Sequence, residues 1–150
     1  MQPLILVPID FGPASGKALA WAGDLQRSLG GPPVHAIHVL KPVSMAAPEV
    51  VVPTISESDI AEVEEELRRA IAAHGIAGTS EVVLSPFPGK AILEVASRVK
   101  VNLIAMGTHG RTGLTRAVLG SVAEYVVRHA NCPVVTVRAA PVESKSAQAA

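Results

Sequence analysis

The chain has 150 residues, is 49% hydrophobic, and balances 13 basic against 13 acidic side chains for a net charge of +0. That length suits one compact domain, which buries roughly 70% of its unfolded surface. A nucleic-acid partner is excluded on two grounds: there is no basic excess to neutralise phosphates, and only four aromatics (Phe11, Trp21, Phe87, Tyr125) for base stacking.

In chain order, Leu4–Ile9 opens as a short apolar strand. The stretch Met1–Asp10 lacks the positive n-region and the length of a signal peptide. A helical pattern follows over about Ala14–Leu29, with Trp21 expected in the core. The segment Gly12-Pro13-Ala14-Ser15-Gly16-Lys17-Ala18 looks like a P-loop but has three spacer residues instead of four. Ala18 cannot ligate Mg²⁺, and Pro13 removes a backbone donor from the cradle, so that reading is rejected. The second strand is Val34–Leu40, with His35 and His38 on opposite faces. Lys41–Ser56 is long for a connection and suggests a mobile or functional loop. Thr54-x-x-Glu57 reads as a capping box before a helix over about Glu57–Ala73, where Glu64/Arg68 and Glu65/Arg69 mark a solvated face. Then come a strand at Glu81–Leu84, a helix at Lys90–Arg98, a strand at Leu103–Gly107, a helix over about Ser121–His129 and a strand at Pro133–Val137. The single cysteine, Cys132, reads as a small buried apolar residue and fits a reducing compartment. No stretch approaches the roughly 20 apolar residues that span a bilayer, so a soluble cytoplasmic protein without a membrane partner is expected. Residues 1–138 are expected to form one domain, and Ala139–Ala150, rich in Ala and Ser, a disordered tail.

Five strands alternating with helices define an α/β protein: a single-domain, open, five-stranded parallel sheet with helices on both faces. Right-handed crossovers leave strand order 3-2-1-4-5 as the natural choice. Ligands of such sheets bind where the winding reverses, here between the carboxyl ends of the first and fourth strands. Asp10 and the segment Gly107–Arg111 sit there. In Gly107-x2-Gly110-x9-Gly120-Ser121, the first glycines would permit close backbone approach and positive φ. Gly120 and Ser121 would open the last helix, whose free N–H groups favour phosphate. Ser121 could bind phosphate or cap the helix; Arg111 and Arg116 could add charge. Asp10 reads either as a ribose or metal-phosphate ligand or as a local turn, and His109 as a ligand contact or an exposed loop histidine. No His/Cys cluster has zinc spacing, and the nucleophile elbow Gly-x-Ser-x-Gly is absent.

Val7-Pro8-Ile9-Asp10, His38-Val39, Met106-Gly107-Thr108-His109-Gly110-Arg111, Leu119-Gly120-Ser121-Val122 and Asn131-Cys132-Pro133-Val134-Val135 together resemble the universal stress protein family over roughly residues 3–138. The resemblance implies its nucleotide-binding subgroup and an adenine nucleotide alpha-hydrolase-like fold. It further implies that Asp10 contacts ribose, that Pro8 and Val39 frame adenine, and that Gly107, Gly110, Gly120 and Ser121 hold phosphates. Met106 and Val122 would pack beside them. ATP with Mg²⁺ is the implied ligand, and a homodimer through the fifth strand the implied assembly, which agrees with an apolar edge at Val134–Val137. Two departures stand out: Pro86 occupies the glycine of the family's Gly-x-Pro after the third strand, and Phe11-Gly12 replaces a small-polar pair. The expected function is an ATP-binding stress-response regulator working as a nucleotide-dependent dimeric switch toward an unknown protein partner. The alternatives are a slow ATPase or nucleotidyl-transferring enzyme, with Asp10 or His109 orienting a water, and a nucleotide-free interaction module.

Overall fold

A computed structural model describes residues 4–42, 55–109 and 119–139. Within them strand and helix alternate: β1 (Ile5–Pro8), α1 (Pro13–Ser28), β2 (Val34–Leu40), α2 (Glu57–Ala73), β3 (Gly78–Leu84), α3 (Pro88–Arg98), β4 (Leu103–Gly107), α4 (Ser121–His129) and β5 (Val134–Val137). All strand pairs are parallel, in the order β3-β2-β1-β4-β5. This is the topology the alternation predicts. The central strand β1 is apolar on both sides because both sides are covered. Ile5 and Val7 meet Ala18, Leu19 and Ala22 of α1 and Leu67 and Ile71 of α2, whereas Leu6 meets Ile92 and Val95 of α3 and Ala123 and Val126 of α4. Among the described residues no helix is long and apolar enough to cross a membrane.

Several element boundaries differ from expectation, each for a local reason. β3 starts at Gly78, three residues before the apolar run, because Gly78-Thr79-Ser80 pairs with Val34–Ala36. A Cβ at Gly78 would collide with the Val34 carbonyl, so this edge pairing depends on glycine. α3 starts at Pro88, whose fixed φ suits the first turn, with Phe87 as N-cap. The capping box of α2 is Ser56–Asp59, not Thr54–Glu57: Ser56 Oγ accepts from the Asp59 N–H at 3.2 Å, and Asp59 Oδ2 accepts from the Ser56 N–H at 2.7 Å. The Ser56 hydroxyl and N–H hold the Asp59 carboxyl below its ordinary range. Thr54 lies outside the described residues, as do residues 43–54 of the long connection and residues 140–150 of the expected tail. On α2, Arg68 turns to Glu65 rather than Glu64, so one carboxylate serves both Arg68 and Arg69. Trp21 is only half-buried, at the margin of the α1-side core. Cys132 is likewise half-buried against the α3–α4 side, and burial pushes its thiol pKa up.

Candidate functional site

The carboxyl ends of β1, β2 and β4 and the start of α4 surround a cleft of about 730 Å³. That is within the range of small-ligand pockets. Pro8, Asp10, Val39, Met106, Gly107, His109, Gly120, Ser121 and Val122, all selected from sequence, line it together. They come from distant parts of the chain, from Pro8 to Val122, and meet because β1 lies between β2 and β4. Gly110 and Arg111, also selected, lie outside the described residues, as does Arg116.

At the β1 end, a compact turn positions Asp10. Its Oδ1 accepts from the Gly12 N–H at 2.8 Å and from the Ser15 hydroxyl at 2.7 Å, while the Asp10 N–H donates to Ser15 Oγ at 3.2 Å. Asp10 is therefore a turn residue and a cleft residue at once. The network holds Phe11 at φ 60, in the left-handed region. For a bulky side chain that conformation costs roughly 1–2 kcal/mol, which the surrounding hydrogen bonds must offset. The Phe11 ring comes to rest against His38, with centroids 4.9 Å apart.

At the β4 end, the glycines do something the sequence reading did not assign them. A Cβ on Gly107 would lie 2.7 Å from the Ser15 nitrogen and 2.8 Å from the Ala14 carbonyl carbon. Gly107 thus admits the first turn of α1 against the end of β4, and its φ is not positive. Gly120 donates its N–H to the Thr108 carbonyl at 2.7 Å, and a Cβ there would stand 2.8 Å from that same oxygen. This contact fixes the amino end of α4 beside β4. Gly120 is the N-cap of α4 and no side chain caps the helix; Ser121 is exposed in its first turn. First-turn N–H groups without a side-chain cap, together with the positive end of the helix dipole, favour an anion at this edge.

His109 adds a further donor candidate. Its Nδ1 lies 2.9 Å from Thr108 Oγ1, and its Nε2 is buried with no hydrogen-bond partner among the described residues. An orphaned buried polar nitrogen costs about 1–3 kcal/mol, so a ligand acceptor reaching it would be stabilised. The uncapped helix start supplies backbone donors that suit phosphate oxygens. Pro8 and Val39 at the ends of β1 and β2, with Met106 of β4 and Val122 of α4, add apolar surface suited to a flat base.

The cleft also contains residues to which the sequence assigned no ligand contact, among them Ser15, His38, Lys41, Pro88 and Thr108. The spacing of Ser15, five residues beyond Asp10 at a helix start, was the available signal. His38 appeared only within the family-like pair His38-Val39, with no role of its own. The remaining histidines are structural. His35 is 8% exposed, with Nδ1 2.7 Å from Thr79 Oγ1 and Nε2 3.8 Å from Glu81 Oε2. Burial holds its pKa below the ordinary histidine value; Glu81 pushes it back up and Arg98 pushes it further down. His74 and His129 bond the carbonyls of Ala70 and Tyr125, one helical turn behind them.

Residues 3–138 match the model of the universal stress protein family. A universal stress protein of Methanocaldococcus jannaschii is 50% identical over 56 residues, which cover 37% of this chain and 33% of that protein. One from Mycolicibacterium smegmatis is 34% identical over 143 residues, covering 89% of this chain and 45% of the relative. The chain thus spans less than half the length of either. Among solved structures, the universal stress protein from Archaeoglobus fulgidus in complex with dAMP is similar at 25% identity and a TM-score of 0.65, covering 91% of this chain and 98% of that one.

Proposed function

This chain belongs to the universal stress protein family, and we propose that it is an ATP-binding regulatory protein of the stress response, a homodimeric switch whose engagement of a protein partner depends on nucleotide occupancy. The observation that carries the reading is the mixed lining of the cleft: the start of α4, whose first turn no side chain caps, stands with the Asp10 carboxylate and the apolar Pro8, Val39, Met106 and Val122 around one space. The dAMP held by the Archaeoglobus fulgidus relative supports an adenine nucleotide as the ligand.

In this reading residues 1–138 are the nucleotide-binding domain. Pro8 and Val39 frame the adenine, Asp10 meets the ribose, and Gly107, Gly110, Gly120 and Ser121 cradle the phosphates. His109 and Arg111 add donors, and Met106 and Val122 pack alongside. ATP supplies a polyanion that carries Mg²⁺ with it; the chain's own residues bind and orient. A micromolar ligand needs about 8 kcal/mol, and hydrogen bonds to charged groups at about 1.5–3 kcal/mol each reach that with four or five contacts and a buried base, after association costs. The dimer forms along β5, a sheet edge whose Val134, Val135 and Val137 are half-buried in the single chain. Isothermal titration with ATP and Mg²⁺ tests the reading, with micromolar binding expected. No measurable heat, in protein stripped of nucleotide by unfolding and refolding, would overturn it.

A further inference from the structure

The β5 end of the sheet is flanked on its two faces by α1 and α4, both of which contact β5. Each helix turns one flank inward, toward its neighbour on the same face. In α1 a Cβ on Gly23 would meet Ile76 Cγ1, just past α2, at 2.9 Å, and Arg27 Nη1 donates to the His74 carbonyl at 3.1 Å. In α4 the Tyr125 ring fills the space where a Cβ on Gly89 of α3 would stand, 2.6 Å from Cδ1. Two residues along a helix turn about 200°, onto the opposite flank. Two residues before Gly23 is Trp21, and two after Tyr125 is Val127. Among the described residues Trp21 is half-buried, against the same core as Val137, and Val127 is 45% exposed. Their level along the sheet agrees with their direction. Ala14 lies against Gly107, which pairs with Val137. Two turns further along α1 is about 10.5 Å, or about three residues back along a strand, so Trp21 stands level with Val134.

We propose that Trp21 and Val127 are the helical walls of an interface with a second copy of this chain, with Trp21 as its aromatic anchor and the two β5 strands paired antiparallel about a two-fold axis. The proposal rests on the dimer of the reading above and adds α1 and α4 to a contact otherwise made by strands. Among the described residues β5 pairs only with β4, so its other edge carries unpaired N–H and C=O groups. A second copy suits this edge because the two-fold brings each wall against itself. The two α1 helices then share one face of the joined sheet, and the two α4 helices the other. α1 packs chiefly on β4. Three strand spacings of about 4.8 Å therefore set the two α1 helices about 14 Å apart. Helices in direct contact lie about 8–10 Å apart, and an indole from each copy fills the difference. Glu124 and Arg128, beside Val127, pair with each other at 2.8 Å within one chain. The α4 wall thus brings little unbalanced charge into the contact.

Trp21 is the only tryptophan of the chain, so its fluorescence reports this site alone. The test is sedimentation equilibrium of the wild type, Val127→Glu and Thr136→Pro, with Trp21 emission and iodide quenching read on the same samples and circular dichroism to verify folding. In the dimer Trp21 is expected to emit to the blue and to be shielded from iodide. Dilution to monomer, or the folded Thr136→Pro monomer, should shift the emission to the red and open it to the quencher. Val127→Glu, at an exposed site, should weaken the dimer about 5- to 10-fold, and Trp21→Ala about 30-fold or more. A dimer whose Trp21 emission and quenching equal those of the monomer overturns the role of Trp21 and leaves the dimer standing. So does an unchanged dimer constant in folded Val127→Glu for the α4 wall. A wild type that stays monomeric into the millimolar range, or a Thr136→Pro variant that stays dimeric, overturns the proposal together with the β5 dimer; ATP titration reads the nucleotide site separately.

Discussion

Ser121→Asp separates charge at the helix start from everything else in the cleft. Ser121 is exposed in the first turn of α4, and its hydroxyl does not cap the helix. Among the described residues that hydroxyl has no hydrogen-bond partner, and a carboxylate at this position stabilises the helix dipole by about 0.3–1 kcal/mol. Thermal stability should stay level or rise slightly. Toward a phosphate the same carboxylate is repulsive: at a separation of about 5 Å and an effective dielectric constant of about 20, the cost is ~3 kcal/mol per unit charge. ATP affinity should then fall by about a hundredfold at low salt, and by less as salt screens the pair. Adenosine has no phosphate and should bind as it does to the wild type. Paired titrations with ATP and adenosine, plus a melting curve, read all three quantities. If both ligands weaken equally, or ATP is unaffected in a folded variant, phosphates do not sit at the amino end of α4.

Gly107→Ala should destabilise the fold by about 1–3 kcal/mol, because its Cβ would press on backbone atoms of Ala14 and Ser15 that cannot rotate away; an unchanged denaturant midpoint would refute the packing role. His35 gives a pH dependence with a definite sign. Burial lowers its folded pKa, so the unfolded chain takes up the proton first. Its contribution to stability is complete above the unfolded value of about 6.5 and is lost as pH falls below it. His35→Gln should therefore show a flatter stability profile than the wild type between about pH 7.5 and 5 by chemical denaturation, and parallel profiles would discount the effect. Thr136→Pro tests the dimer. Pro133 and Val137 direct their carbonyls to β4, so by the alternation of a parallel ladder the exposed Thr136 turns its N–H outward. Light scattering should then report a monomer with nearly unchanged stability; a dimer that persists would place the interface elsewhere.

The sheet was legible because its strands are covered on both faces. Leu4–Ile9 and Val34–Leu40 read as apolar runs, and burial explains them. Charge and periodicity found α2 to the residue, as the uniform i,i+4 pattern of an exposed helix allows. β3 was shortened because Gly78-Thr79-Ser80 has no apolar signature; its pairing comes from the neighbouring strand, not from its own side chains. The capping box was misplaced by two residues because Ser, Thr, Asp and Glu recur in that stretch, and only backbone direction selects Ser56 and Asp59.

The sequence by itself determined the order of elements and the strand order of the parallel sheet. Those follow from period, length and chirality, which are local properties. Only tertiary structure decided what each glycine and histidine in the cleft does. Gly107 and Gly120 are required by the backbones of α1 and Thr108 that press against them, and His38 receives its proton position from the Ile9 carbonyl just past β1. Such roles depend on atoms brought close by the fold from distant parts of the chain. A residue type and its spacing carry no record of the group that will face it across a sheet.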